Sequence, residues 1–404
     1  MPSENPIPNT HLLAVLAAGC FVSSMSMRLI DPVVPGIARD LGVSAASVAI
    51  LASYFAFPYA LGQPILGAMG DAFGKALIIK VTLAVLCMCL AVSAAAPTLD
   101  ILTIARLIGG AAGGGIIPLA FAIVGDRFEM SERQVALSRV LTAIIAGQLT
   151  GSLGSGLLAS YLGWRTAMSA AAFLALAALV ITLWQLKPRA PRHRTLPTRD
   201  QVLRGYRVVF ANPLSAVCLS AVFIEGIVIF GLFPYLAVLL EQRGAGGLKE
   251  AGFVLAGFAL GGFAYTALVR LMLTRLGLFK LILAGGIVSG CGLAALSLGS
   301  AWPVEMAVFV AVGVGFYMIH NSLQTQATEL APLHRASGVA AHAFFFFLGQ
   351  AAGPLVYRVG LDALGSFSTL LIAGVAMAIL GVATAIGLRQ RSERPVIELG
   401  GPAG

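Results

Sequence analysis

Residues 147–152 read GQLTGS and residues 349–354 read GQAAGP, the same Gly-Gln-x-x-Gly spacing displaced by 202 positions. The same displacement carries Pro32 onto Pro234 and Gly42 onto Gly244, and a displacement of 203 carries Gly74 onto Gly277. Four matches in register describe a duplicated unit of about two hundred residues, so the fold is read from one half and repeated. Both glycine motifs lie inside long apolar stretches. The chain as a whole is 58% apolar and 11% charged over 404 residues, against about 25% charged in an ordinary soluble domain. A lipid bilayer rather than water is therefore the expected solvent, and each crossing needs about 20 mostly apolar residues.

Breaks at charged, Pro and Gly clusters predict twelve spans, near 11–37, 45–69, 76–96, 99–124, 133–160, 164–186, 212–240, 249–273, 277–299, 303–327, 336–357 and 363–388. The expected organisation is an N-terminal six-helix bundle at 1–187, a basic cytoplasmic linker at 188–211 and a C-terminal six-helix bundle with a short cytoplasmic tail at 212–404. The first apolar stretch has no Lys or Arg before it and runs on past Arg28 and Asp31, so it reads as a retained span and not a signal peptide. With the N-terminus placed in the cytoplasm, 19 of the 26 Lys and Arg fall on cytoplasmic segments. Five fall on external ones (Arg39, Arg165, Arg243, Lys249 and Arg358), and Arg28 and Arg106 lie within the membrane. That asymmetry puts both termini inside, with the chain in the cell (inner) membrane. The dense basic run from Lys187 to Arg207 reads as a topology anchor on anionic lipid.

A net charge of +9 does not indicate a nucleic-acid partner, because the basic residues are scattered over many loops. The five cysteines sit in apolar stretches without metal-ligand spacing and read as packing residues. GDAFGKA at 70–76 lacks the spacing and hydroxyl of a phosphate loop, and GGAAGGG at 109–115 lies inside a span. No cofactor, no metal and no enzymatic activity are expected.

The stretch GQPILGAMGDAFGKA at 62–76 resembles the loop motif of the major facilitator superfamily, with Gly67, Asp71, Gly74 and Lys75 on motif positions and Ala72 and Ala76 where basic residues are usual. LTRLGLFK at 273–280 is its second-half counterpart and keeps Arg275. ARLIGGAAGGG at 105–115, GQLTGSLGSG at 147–156 and RLIDPVVPGIARDLG at 28–42 resemble motifs of the drug and metabolite antiporter branch, with Arg106 as the intramembrane arginine, Ser152 replacing a proline, and Asp31 on the acidic position. The resemblance implies an all-α major facilitator fold of twelve transmembrane helices in two pseudo-symmetric bundles, with spans 1, 4, 7 and 10 around a central cavity. It also implies proton-coupled antiport of a small amphipathic or cationic compound, by a chain taken as a monomer in the lipid. Gly67, Asp71, Gly74, Lys75 and Arg275 would then form a conformational gate, Asp71 meeting the start of span 11. Gly147, Gly151, Gly349, Gly353 and Pro354 would serve helix packing.

Ionisable groups inside a membrane are costly and mark function or a fixed partner. Asp31 is expected to titrate, and its spacing allows either Arg28, one turn away, or Arg106, at a similar depth on span 4, as its partner. A permanent Arg28–Asp31 pair that only neutralises a helix end is the structural alternative. Glu225 lies near mid-span 7, opposite Ser23 in the repeat, and is expected at the cavity as a cation or second proton site, with a protonated packing role as the alternative. His320, Asn321 and Gln324 on span 10, with Gln148 and Gln350 at repeat-related sites, are second-rank cavity candidates. The run Phe344–Phe347 is expected to face lipid or to pack, and Pro58, Pro64 and Pro118 to loosen spans 2 and 4. Rival functions are a sugar, amino-acid or metabolite permease without proton exchange, and a scaffold or membrane subunit of an ATP-driven pump.

Overall fold

The computed structural model describes residues 9–186, 199–332 and 335–392. The described residues are almost all helical, with no strand among them. In chain order the helices are α1 (Asn9–Arg28), α2 (Val34–Leu41), α3 (Ala45–Ala49), α4 (Leu51–Phe73), α5 (Lys75–Ala95), α6 (Leu99–Gly113), α7 (Ile116–Arg127), α8 (Met130–Leu149), α9 (Ser155–Leu162), α10 (Trp164–Gln185), α11 (Arg199–Ala211), α12 (Pro213–Phe230), α13 (Leu236–Gln242), α14 (Leu248–Leu296), α15 (Trp302–Glu329) and α16 (Arg335–Ser392). Among the described residues ten helical stretches, several of them joining two of these helices, are long and apolar enough to cross a membrane. Two exceed any single crossing. α14 is 49 residues long and turns at Gly277 (φ 69°), and α16 is 58 residues long and turns at Gly365 (φ 75°). A positive φ is open to glycine at no steric cost, so a crossing can end there without loss of chain continuity. Close to the expected breaks at 273–277 and 357–363, Gly277 and Gly365 leave the helical region, so each long run is two helices joined at a kink.

The first predicted span, drawn as one helix, is interrupted. α1 ends at Arg28, a 3-10 turn occupies Asp31–Val33, and α2 begins at Val34. Pro32 and Pro35 withhold two backbone N–H donors, which is why the ladder cannot run through. The seventh span breaks identically: a 3-10 turn covers Phe233–Tyr235, at Pro234, between α12 and α13. The two turns hold equivalent places in the repeat, and Gly42 and Gly244, which follow them, both take φ 64°.

The repeat extends to packing. A Cβ on Gly147 would strike the Phe21 carbonyl, and a Cβ on Gly349 would strike that of Phe223, the counterpart of Phe21 in the second half. A Cβ on Gly151 would come within 2.5 Å of the Met25 carbonyl oxygen, and one on Gly353 within 2.9 Å of that of Ile227, the counterpart of Met25. Small residues at these positions let α8 lie directly on α1 and α16 directly on α12. Gly67 is different: a Cβ there would meet nothing within 4 Å, whereas Gly70 faces Leu119 closely. At the ends, Ser44 accepts from the Ser47 N–H, and Asn212 accepts from Leu214 N–H before Pro213 starts α12. The basic segment of the expected linker at 187–198 and the tail at 393–404 lie outside the described residues; the rest of the linker forms α11.

Candidate functional site

The interrupted first span brings charge to the centre. Arg28, at the last turn of α1, has an Nη1 that lies 3.5 Å from Oδ2 of Asp31, and the two side chains are 6% and 0% exposed. The contact is an ion pair, not an aligned hydrogen bond: both Asp31 oxygens lack hydrogen-bond partners among the described residues. Nη2 of Arg28 donates to Oε1 of Gln350 on α16, 322 positions away. Its guanidinium carbon lies 4.3 Å from the centre of the Phe230 ring and 5.2 Å from that of Phe233. A buried guanidinium is tolerable only with such a set of anion, amide and aromatic faces. Arg28 is therefore joined at once to its own acid and to the second half of the repeat.

Arg106 takes the other available arrangement. Its Nη1 donates to the Ser26 carbonyl at 2.8 Å, and its guanidinium sits 3.9 Å over the Phe55 ring. Nε and Nη2 have no hydrogen-bond partner among the described residues, although the side chain is buried. Of the two partners open to Asp31, Arg28 is the one within ion-pair distance; Arg106 acts on it only at longer range.

A second cluster lies in the other half. Oε2 of Glu225, on α12, is 3.1 Å from Nδ1 of His320 on α15, and Glu225 is fully buried. Oε1 has no partner among the described residues. The His320 ring stacks on Phe316 (4.9 Å) and lies 4.4 Å from Phe346 and 5.1 Å from His342, a residue that sequence reasoning passed over. His342 stands just before the phenylalanine run, whose apolar character masks it. Of the two expectations for that run, packing holds for two of its rings: Phe346 packs on Phe230 and Phe316, and Phe347 lies 4.7 Å from Tyr59 of α4.

Ser23, the repeat partner of Glu225, donates to the Gly113 carbonyl at 3.0 Å and lies 3.3 Å from the Tyr59 hydroxyl. Asn321 and Gln148 are half-buried, and Gln324, one turn beyond His320 on α15, is exposed. Arg28, Asp31, Arg106, Ser23, Glu225 and Gln350 are each at most 5% exposed, so all six are buried in this conformation. A 260 Å³ cleft between α5 and α6, lined by Met88, Cys89, Val92 and Ile104 among others, is wholly apolar and holds none of these groups.

Contacts between the halves concentrate where the first and seventh spans end. Arg39 donates to Glu241 at 2.7 Å, and these residues are themselves counterparts in the repeat. A Cβ on Gly156 would strike the Leu248 carbonyl, and one on Gly252 would crowd the backbone of Ser152 and Leu153, where a π-helical turn at Thr150–Gly154 widens the helix. Asp40 binds Arg165, and Trp164 donates its indole N–H to Asp40 at 3.2 Å. At the opposite end, Asp71 has a 62% exposed side chain and pairs with Lys75 at 3.7 Å, while Lys75 also holds Asp126 at 2.6 Å. The side chains at the start of α16, where Asp71 is expected to make contact, lie outside the described residues, and Arg275 is exposed. Gly74 takes φ 101°, and Pro354 offers its carbonyl to the Tyr235 hydroxyl at 2.9 Å.

A family profile described as Major Facilitator Superfamily matches residues 16–354. Multidrug resistance protein 1 of Bacillus subtilis (strain 168) is 23% identical over 346 residues, 85% of this chain and 88% of that protein. Multi-drug resistance efflux pump PmrA of Streptococcus pneumoniae is 30% identical over 190 residues, 45% of this chain and 47% of PmrA, so the chain spans about half the length of that relative. Among solved structures, the crystal structure of the human organic anion transporter MFSD10 (TETRAN) aligns with a TM-score of 0.72 at 18% identity, covering 93% of this chain and 99% of that one. At that identity the likeness concerns the fold alone.

Proposed function

From the premise that the chain belongs to the major facilitator superfamily and is a multi-pass membrane transporter, we propose that it exports a small amphipathic or cationic compound in exchange for protons. Alternating access of two six-helix halves in the cell (inner) membrane carries the exchange. Counting the bends at Gly277 and Gly365 as ends of crossings turns ten apolar stretches into twelve spans, with both termini in the cytoplasm. The halves are then residues 1–187 and 212–404, with α11 in the cytoplasmic linker between them. The end sealed by Arg39 and Glu241 is the external one.

The observation that carries the reading is Arg28, which holds Asp31 in its own half and Gln350 in the other. Protonation of Asp31 removes the anion and leaves a buried guanidinium whose remaining holds are one amide and two rings. An uncompensated buried charge favours the conformation that returns it to water, so proton uptake is converted into a shift between states. The names of the bacterial relatives support drug efflux as the direction. The test is sealed vesicles containing the purified protein and a pH-sensitive dye: adding ethidium or another lipophilic cation should release protons from wild-type vesicles, and Asp31→Asn should abolish the release. A panel on which no compound moves protons removes the antiport reading.

One observation favours a second reading. Arg106 leaves two guanidinium nitrogens without a partner in a buried site that also holds Arg28, two cations to one carboxylate. An organic anion would satisfy those donors, and the same vesicles tested with amphipathic carboxylates would detect it.

A further inference from the structure

The Glu225 cluster is built as a ladder across three helices. Asn212, at the start of α12, donates to the Leu330 carbonyl beyond the end of α15, and a Cβ on Gly338, in the first turn of α16, would strike the Ala327 carbonyl in the last turn of α15, so these three helix ends lie at one level. Counted from that level, Glu225 stands in the fourth turn of α12, His320 in the third turn back from the end of α15, and His342 at the close of the second turn of α16. At about 1.5 Å per residue those positions are about 18, 13 and 10 Å deep. The groups descend in order from the centre of the bundle toward one face. The upper step is a hydrogen-bonded contact of 3.1 Å; the lower one is a pair of rings with centroids 5.1 Å apart.

Both ends of the ladder are chemically open. Oε1 of Glu225 and Nε2 of His342 are buried polar atoms with no partner among the described residues, on side chains that are 0% and 2% exposed. Two unsatisfied atoms flanking one bridging imidazole are costly unless something is passed between them or bound there. The walls are aromatic: Phe316 and Phe346 enclose His320 and keep it from alternative partners. The other ionisable groups facing the cluster are Tyr317 of α15, which lies within electrostatic range of Glu225 and Arg28, and Tyr265 of α14, which stacks on Tyr317. Among the described residues no second carboxylate and no lysine acts on Glu225, His320 or His342.

We propose that Glu225, His320 and His342 form a proton relay of the second half, separate from the Asp31 site, that connects Glu225 to the cytoplasmic face. A protonated Glu225 gives its proton to Nδ1 of His320, and His320 releases the proton on Nε2 to His342, directly or through one water. His342 passes it on to the inner solution, and reversal of the tautomer resets the ring. No other bond forms or breaks, and charge is conserved at each step. Imidazole suits the task because it can accept at one nitrogen while donating from the other. His320 is thereby a relay and not a substrate contact. The biological use of the relay rests on the proton-coupled reading above, but its existence can be tested without any transported compound.

The test uses the purified full-length protein in lipid vesicles and time-resolved infrared spectroscopy. The carboxylic-acid C=O band that disappears in Glu225→Gln reports the protonation of Glu225, and its relaxation after a pH jump reports exchange with bulk water. His342→Gln and His320→Gln should each slow that relaxation tenfold or more while leaving the midpoint pH of the band in place. Added imidazole should restore the rate in His342→Ala. Unchanged rates in both glutamine variants, a moved midpoint at an unchanged rate, or the absence of a Glu225 band in the wild type would each overturn the relay. The two variants lie on different helices, so misfolding of one leaves the other to decide. Normal Glu225 exchange in a protein that moves no protons with any compound would overturn antiport and leave the relay standing.

Discussion

Neutralising Asp31 should unlock the sealed end of the molecule. Asp31→Asn keeps the shape of the side chain and removes the charge that lies 3.5 Å from the Arg28 guanidinium. Loss of one partner from a buried ion pair costs about 3–5 kcal/mol. The cation–π contact with Phe230 and the bond to Gln350 exist before and after the change, so they do not offset it. Taking the lower figure, the closed conformation loses about 3 kcal/mol relative to one in which Arg28 reaches water, roughly a hundredfold change in the ratio of states. The reporter is the pair Arg39 and Glu241, whose side chains touch at 2.7 Å across the halves in the closed state. With Arg39→Cys and Glu241→Cys in a background of native cysteines changed to serine, disulfide formation should be fast for intact Asp31 and many-fold slower for Asp31→Asn. Acidification should slow it in the first protein and leave it flat in the second. Equal cross-linking rates with and without Asp31→Asn would refute the reasoning, because the ion pair would then be neutralising a helix end and nothing more.

Gly349→Ala places a methyl group against the Phe223 carbonyl and should lower stability by about 1–3 kcal/mol, whereas Gly67→Ala, with nothing within 4 Å, should leave the melting temperature in detergent unchanged. Arg39→Glu should weaken the closed state by up to about 1 kcal/mol, as expected for a solvent-exposed pair, and the exchange Arg39→Glu with Glu241→Arg should restore it; spin-label distances across that end of the bundle read both. Phe347→Ala removes an aromatic contact between α16 and α4 worth about 0.5–1.5 kcal/mol and should shift the same distances toward the open state.

The architecture was legible wherever one residue type has one physical use. Pro32 and Pro234 mark breaks because proline withholds a donor, and Gly42, Gly244, Gly147 and Gly349 mark turns and close contacts because no other residue fits there. Reading the first span as one continuous helix gave Pro32 and Pro35 too little weight, and with them the turn that sets Asp31 beside Arg28. The partner of Arg28 in the other half was not legible: Gln350 is 322 positions away, and nothing in either segment announces the pairing. His342 was hidden, and the facing of the Phe346 and Phe347 rings left open, for another reason. Apolar residues on every side of a helix give no preferred face, so periodicity could not tell lipid from core. Asp71 matched a motif position and sits exposed beside Lys75, a pairing that i, i+4 spacing on one helix accounts for by itself.

The most direct test of proton-coupled export is the proton count in sealed vesicles. Wild-type protein should move a transported compound against its own gradient only when a pH gradient is imposed, with protons moving the opposite way in a fixed ratio, and Asp31→Asn should move neither. Transport of the compound down its own gradient with no proton movement, or proton-driven transport that survives in Asp31→Asn, would contradict the account.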